Sequence, residues 1–365
     1  MVTMASDLLR SFVETYTRET AFYAKVASLA EERCRKTLSE NGIPAIVTSR
    51  AKRPDRLLEK LKQRHAEKTY ATTQEIYDDL FDLAGVRVAL YFPGQEYQVV
   101  RLIQKAFEIV KIKPMGDSPI QPVDNGKARI SSVGKPVGDL APGNTLSVVN
   151  SLVAQGGDDE EEVMPYRDQF PGYRAVHARV KLGTASLPED QTPYGTTLIE
   201  IQIASLLMHA WSEVNHDLAY KTLNGELSVD ELRMLDGING LVRTGEVLLN
   251  QLKASVDARI ATQNRPFANM FELGAFVQSY ALYDPSDNKY RLGSLSSLLQ
   301  VLRHLGIDKP TVLGTHLQEW AKDASNLKRY PLTNSILDHL LAKKPDGPNQ
   351  AIPFKTPQRE AIREV

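Results

Sequence analysis

Three short segments alternate apolar and polar residues with period two, and in each the polar side carries reactive or charged groups. GVRVALYF (Gly85 to Phe92) places Val86, Val88 and Leu90 on one face and Arg87 on the other. AVHARVKL (Ala175 to Leu182) sets Val176, Ala178, Val180 and Leu182 against His177, Arg179 and Lys181. TLIEIQI (Thr197 to Ile203) sets Thr197, Ile199, Ile201 and Ile203 against Glu200 and Gln202. Period-two alternation over this length specifies strands buried on one face only. The plainest reading is a half-exposed antiparallel sheet whose outer face is wet.

Helical patterns surround these strands. In the first forty residues Leu8, Leu9, Phe12, Val13, Tyr16, Val26, Leu29 and Ala30 recur at spacings of three and four, and Gly42 and Pro44 punctuate the end. Pro54 suits the first turn of a second helix, with Leu57, Leu58 and Leu61 facing inward. A helix is expected through Tyr97 to Val110. Another follows the third strand, with Leu207, Ala210, Trp211, Val214 and Leu218 as its apolar stripe, and a long one covers Val229 to Ile260. Residues 115–162 are rich in Gly, Pro, Ser and Asp, lack apolar periodicity and end in GGDDEEE, so they read as a mobile insert. Past about residue 264 the patterns are short and helical: Leu295, Leu298, Leu299 and Leu302 before Gly306, then Ser335 to Lys344 with Asn334 as candidate N-cap. The expected organisation is a large unit over 1–263, a helical C-terminal domain over 264–344 and a polar tail over 345–365.

Composition excludes several classes. The 44 Lys+Arg balance 45 Asp+Glu, unlike a chain coated for bulk nucleic-acid binding. The single cysteine, Cys34, rules out an intrachain disulfide or a cysteine-built zinc site. No apolar run approaches the roughly 18 residues of a bilayer span, and the N-terminus lacks the apolar core of a signal peptide. A cytoplasmic protein is expected.

The segment from Ser49 to Arg64 is strongly basic, with Arg50, Lys52, Arg53, Arg56, Lys60, Lys62 and Arg64 against Asp55 and Glu59. Arg56, Lys60 and Arg64 fall on one helix face. Such a ridge at a helix start suits a polyphosphate, although a solvated basic helix has the same pattern. Asp82 and Glu200 supply a pair of carboxylates able to hold Mg²⁺, which shares its shell with substrate phosphates. A basic cradle with an acidic metal clamp is the minimal equipment for phosphoryl or pyrophosphoryl transfer. In FPGYRAVH (Phe170 to His177), Gly172 permits an unusual turn and Tyr173 offers a ring on which a nucleobase can stack. His209, Glu213 and His216 share a helix face without the HExxH arrangement or a fourth ligand. A histidine hydrogen-bonded to the site carboxylates fits them better than a zinc site.

The segments VTSRAKRPDRLLEKL, DLAGVRV, GYRAVH and IEIQIASLLMHAWSEVNHDLAYK, in this order, resemble the synthetase domain of the RelA/SpoT family of alarmone synthetases, most of all its small single-domain members. The resemblance covers about residues 5–260 outside the insert. It implies an α+β fold: a mixed β-sheet with flanking helices, nucleotidyltransferase-like, here with a small all-α C-terminal domain. It further implies transfer of the β,γ-pyrophosphate of ATP to the 3′-hydroxyl of GDP or GTP. Arg50, Lys52, Arg56, Lys60 and Arg87 then bind ATP, and Asp82 and Glu200 are catalytic and hold Mg²⁺, with Glu200 activating the attacking hydroxyl. Tyr173, Arg174, His177, Gln202, Asn215 and His216 meet the acceptor. Homo-oligomerisation follows by the same analogy.

This chain departs from that family at three places. Ile203-Ala204-Ser205 stands where the family usually has Ile-Arg-Thr, Asn215-His216 where it has Glu-His, and Arg56 where a serine is frequent. Loss of a cation weakens the grip on a 5′-polyphosphate, so the acceptor stays open between a guanine nucleotide, an adenine nucleotide and the 3′ end of tRNA. A non-catalytic nucleotide-binding regulator is the reading from another class. No hydrolase domain is recognisable, so the chain is expected to make its product without degrading it.

Overall fold

The computed structural model describes residues 2–116, 123–124, 170, 172–219, 227–280, 292–327 and 331–342. Helix α1 (Val2–Glu40) runs for 39 residues and buries Leu9, Phe12, Tyr16, Val26, Ala27, Ala30, Cys34 and Leu38. It ends in a Schellman turn: the Ile43 N–H bonds back to the Leu38 carbonyl and the Gly42 N–H to that of Ser39. Gly42 takes φ 69° there, the left-handed value such a cap requires.

Strand β1 (Ala45–Ala51) follows, then α2 (Pro54–Glu67), α3 (Thr73–Asp79), β2 (Ala84–Leu90), α4 (Glu96–Ala106), β3 (Glu108–Met115), β4 (Val123–Asp124), β5 (Ala175–Lys181) and β6 (Ile199–Ser205). One six-stranded sheet has the order β1-β2-β6-β5-β3-β4. β2 and β6 are parallel and the remaining pairs antiparallel, so the sheet is mixed and the fold α+β. The apolar faces of the three expected strands are buried as read: Val86, Val88, Leu90, Val176, Ala178, Val180, Ile199, Ile201 and Ile203 pack with α1, α2 and α4 in one core.

Several elements differ from the sequence reading. The expected helix through Val110 stops at Ala106, because Glu108–Met115 pairs with β5 through a register shift between Ile109 and Lys111. β1 and α3 had no assignment, and β4 falls within the expected insert. Of the insert over 115–162, only 115–116 and 123–124 are described, and the polar tail from 345 lies outside the described residues.

Helix α5 (Leu206–Ala219) leads to α6 (Val229–Ala261), which opens with a capping box between Ser228 and Glu231. α6 presents Met234, Ile238, Leu241, Leu248 and Leu252 as an exposed stripe. Beyond it, α7 (Met270–Tyr280), α8 (Leu295–Leu305), α9 (Pro310–Lys322), α10 (Ala324–Leu327) and α11 (Leu332–Ala342) enclose a second core. That core is built on Phe267, Leu273, Leu298, Leu302, Leu317, Trp320 and Ile336, with Ile260 of α6. Gly306 ends α8 in the left-handed conformation, as the sequence suggested. Asn334 is not an N-cap: α11 begins at Leu332 because the Asn334 and Ser335 N–H groups both bond the Pro331 carbonyl. The helical unit docks on the end of α1, where the Asn41 carbonyl accepts from Gln278 Nε2 at 3.3 Å and Asn41 Oδ1 from the Leu292 N–H at 3.4 Å.

Candidate functional site

The strand registers lay the polar face of the sheet out in rows. One row runs Arg50, Gly85, Glu200, Arg179 and Lys111, the next Thr48, Arg87, Gln202, His177 and Lys113. A third row, Ile46, Ala89 and Ala204 with Ala175 and Met115, is apolar. Ala175, Ala204, Met208 and Trp211 form a small buried cluster with Met115, Tyr173 and Val242, so α5 covers this row. The outer face is therefore not simply wet: two charged rows lie beside a dry one. Ala204, where the resembled family has arginine, is fully buried in the dry row.

At the end of the charged rows, the turn that follows α3 sends its side chains to different partners. Asp79 accepts from Arg64 Nη1 at 2.6 Å and from the Tyr70 hydroxyl at 2.7 Å. Phe81 lies under Arg179, whose Cζ is 3.1 Å from the ring centroid. Asp82 Oδ2 accepts from both Lys52 and Lys60, the latter at 2.9 Å. Tyr16, buried in α1, fixes Lys52 from behind by donating to its carbonyl at 2.6 Å. Burial drives Lys52 down to about 8 despite the Asp82 charge, and Lys60 adds to the fall. Burial pushes the Asp82 carboxyl up, but the two ammonium groups outweigh it and hold it near 2. Both ends of this cluster are thus ionised at neutral pH.

Glu200 is 6% exposed. Its Oε2 accepts from Gln202 Nε2 at 2.9 Å, and His177 Nδ1 lies 3.4 Å from Oε1. Burial and the nearby Asp82 raise its pKa, but the His177 and Gln202 contacts prevail and leave it below the usual carboxylate value. The Tyr173 ring stands edge-on to His177, centroids 6.0 Å apart, and burial raises its hydroxyl to about 12.

The carboxylate pair fits a hard cation that takes the rest of its shell from phosphates and water. Asp82 Oδ1 is buried without a hydrogen-bond partner, and Asp82 is near enough to Glu200 for mutual repulsion. Gly85 leaves the ladder position beside Glu200 without a side chain. Among the described residues no group of three or more His, Cys, Asp or Glu could hold a metal by itself, so substrate oxygens would have to complete the shell.

Other expected residues are placed differently. Arg87 forms an ion pair with Glu213 of α5, which sequence reasoning weighed only as a zinc ligand. Arg50 is exposed at the β1 end of its row, and Arg56 is exposed on α2. Arg174 is held by Glu246 at 3.2 Å and lies 4.0 Å from Glu96. Glu246 also accepts from Ser205, whose Oγ caps α5 by accepting from the Met208 N–H at 3.0 Å. His209 does not bond the site carboxylates: its Nε2 is 3.2 Å from the Val88 carbonyl. Burial and the Arg87 charge lower it to about 4. Asn215 is half-buried, and His216 is exposed with Nδ1 3.6 Å from Asp217. Gly172 keeps an ordinary φ. The constrained glycine is Gly116, at φ 66°, where a Cβ would meet the Tyr173 carbonyl at 2.4 Å.

No known family model matches this chain, and no curated protein is similar to it. Solved structures do match. The small alarmone synthetase 1 from Bacillus subtilis is 19% identical, with 67% of this chain and 99% of that one covered and a TM-score of 0.42. A GTP pyrophosphokinase family protein from Streptococcus pneumoniae is 19% identical, with 68% and 93% covered and a TM-score of 0.39. The Bacillus subtilis synthetase 1 bound to its product pppGpp is 16% identical, with 67% and 98% covered and a TM-score of 0.40. No helix of the described residues is long and apolar enough to cross a membrane.

Proposed function

We propose that this chain is a RelA/SpoT-type pyrophosphotransferase, moving the β,γ-pyrophosphate of ATP to the 3′-hydroxyl of GDP or GTP and releasing AMP. One observation carries the proposal. Two ionised carboxylates, Asp82 and Glu200, lie within each other's field among the cations of a sheet face whose neighbouring apolar row is covered by α5. A merely structural ion-pair cluster would not need Asp82 Oδ1 buried and unpartnered, a state that costs about 1–3 kcal/mol.

The roles follow from placement. Lys52 and Lys60, drawn together by Asp82, present two ammonium groups to the donor's phosphates. Arg50 and Arg87 lie diagonally across β1 and β2 on the same face, on the donor side. Asp82 and Glu200 would hold Mg²⁺, which neutralises developing charge on the transferred group when bound. Glu200, anionic and fixed by Gln202 and His177, accepts the proton of the 3′-hydroxyl as that oxygen bonds the β-phosphorus. The bond from the β-phosphorus to the α–β bridging oxygen breaks, and AMP leaves with its electron pair. Tyr173 stacks on the acceptor base, and His177 Nε2, buried without a partner, offers the acceptor a polar contact. Arg174 takes a positioning role, tying the Tyr173 turn to α6 through Glu246.

The burial of Ala204 favours keeping the acceptor open, since no cation stands in that row to take a 5′-polyphosphate. ATP labelled at the β-phosphate, offered with Mg²⁺ to GMP, GDP, GTP, AMP, ADP and deacylated tRNA, decides it. Label on a guanine nucleotide, AMP release and a silent Glu200→Gln control support the proposal. Label on an adenine nucleotide or tRNA keeps the chemistry and changes the acceptor. Nucleotide binding without any transfer leaves a binding regulator instead.

A further inference from the structure

The cations of this face differ in how they are paired. Lys52 and Lys60 share Asp82, Arg64 has Asp79, and Arg87 has Glu213. Among the described residues Arg179 has no carboxylate within ion-pair distance. Its Cζ lies 3.1 Å from the centroid of the Phe81 ring, with that of Arg64 5.7 Å from the same ring. In the ladder it stands directly opposite Glu200, and it feels the charges of Glu200, Arg64, Asp82 and Asp79. A half-buried guanidinium whose one partner is a ring face keeps all its N–H donors available.

We infer that Arg179, braced by Phe81, is a phosphate-binding subsite that takes a phosphoryl group of a polyphosphate beside Asp82 and Glu200. The ring packed against the guanidinium limits its movement, so little freedom is lost when two phosphoryl oxygens are engaged. Arg179 is on the same face as Ala204 but two rows away, so it adds to the charged rows and does not replace a cation at Ala204. On the sheet floor it stands between Glu200 and Lys111 in the ladder, near enough to Glu200 and Asp82 to feel both charges. The ligand class rests on the pyrophosphotransferase reading, but the subsite itself is tested without turnover.

Calorimetry of the full chain with inorganic tripolyphosphate, and with adenosine as the phosphate-free control, tests it. Arg179→Gln is expected to weaken tripolyphosphate binding by on the order of tenfold or more, the weight of one charge-assisted contact. Arg179→Lys should fall between the two, and Phe81→Leu should weaken binding while keeping every charge. Adenosine binding should not change. Should Arg179→Gln not fold, Arg179→Lys and Phe81→Leu carry the test. Wild-type affinity in folded Arg179 variants, or no tripolyphosphate binding by the wild type, overturns the subsite. Arg179-dependent binding without nucleotide transfer keeps the subsite and removes the reaction assigned above. Transfer with Arg179-independent binding does the reverse.

Discussion

Acidification tests how the apolar row is joined to the charged ones. His209, on the buried side of α5, donates to the Val88 carbonyl at 3.2 Å and is held down to about 4 by burial and Arg87. An unfolded histidine titrates at its ordinary 6.5, so between these two values the unfolded state binds the proton and the folded state does not. The folded pKa is the depressed one, so this group's contribution is complete above pH 6.5 and is lost as pH falls toward 4. Taking those values, the loss on going from pH 7 to pH 5 is about 2 kcal/mol. His209→Gln keeps an N–H donor for Val88 and cannot titrate. Trp211 sits in the α5 cluster and Trp320 in the second core, so a Trp320→Phe background lets urea unfolding, followed by fluorescence, read the sheet unit alone. The wild-type background should lose about 2 kcal/mol more than the His209→Gln background over that pH step. Parallel losses in the two proteins would refute the reasoning, and with it the neutral, buried state of His209 beside Arg87.

Three further outcomes follow from the site. Burial brings Lys52 to about 8 in the folded chain from the ordinary 10.5 of an unfolded lysine, so between these the unfolded state binds more protons and this group's stability contribution rises with pH. Binding runs the other way: affinity for a non-hydrolysable ATP analogue should fall as pH rises through about 8, and Lys52→Arg should abolish that limb. Gly85→Val places a side chain beside Glu200, where a Cβ meets nothing nearer than the Arg50 carbonyl at 3.7 Å. Its thermal midpoint should hold or rise, glycine being unfavourable in a strand, while titrations show nucleotide binding weakened by tenfold or more. Glu246→Ala strips Arg174 and Ser205 of a buried anion and should cost about 3–5 kcal/mol in urea unfolding. Glu246→Gln, where it folds, should raise the acceptor KM more than the ATP KM.

The three strands that carry Arg87, His177 and Glu200 were legible because each buries one face against α1, α2 and α4, and burial on one face is what writes alternation into a sequence. β1 left no such mark. It is an edge strand in which only Val47 is fully buried, so Ile46, Thr48 and Arg50 were free of the constraint. β3 hid its alternation in the irregularity between Ile109 and Lys111. On α5 the periodicity pointed to Leu207, Ala210, Trp211, Val214 and Leu218, yet Met208, His209 and Trp211 are the buried set and Val214 and Leu218 stay exposed. The helix meets the dry row of the sheet with its first two turns, and one stripe cannot describe a helix that is buried over half its length.

The site divides in the same way. Residue types and the resemblance named the cations and both carboxylates, because chemistry constrains which groups are present. Which anion each cation meets depends on side chains brought in from distant elements. Glu246 reaches Arg174 from 72 residues away and Glu213 reaches Arg87 from 126, with no spacing to announce either pair. Pairing also sets how many donors stay open, because a guanidinium bonded to carboxylates has fewer N–H groups left for a phosphate. By that criterion Arg174, held by a buried glutamate, fits the positioning role proposed for it. Arg179, held only by a ring, is the better placed of the two to bind substrate, although the motif pointed to its neighbours.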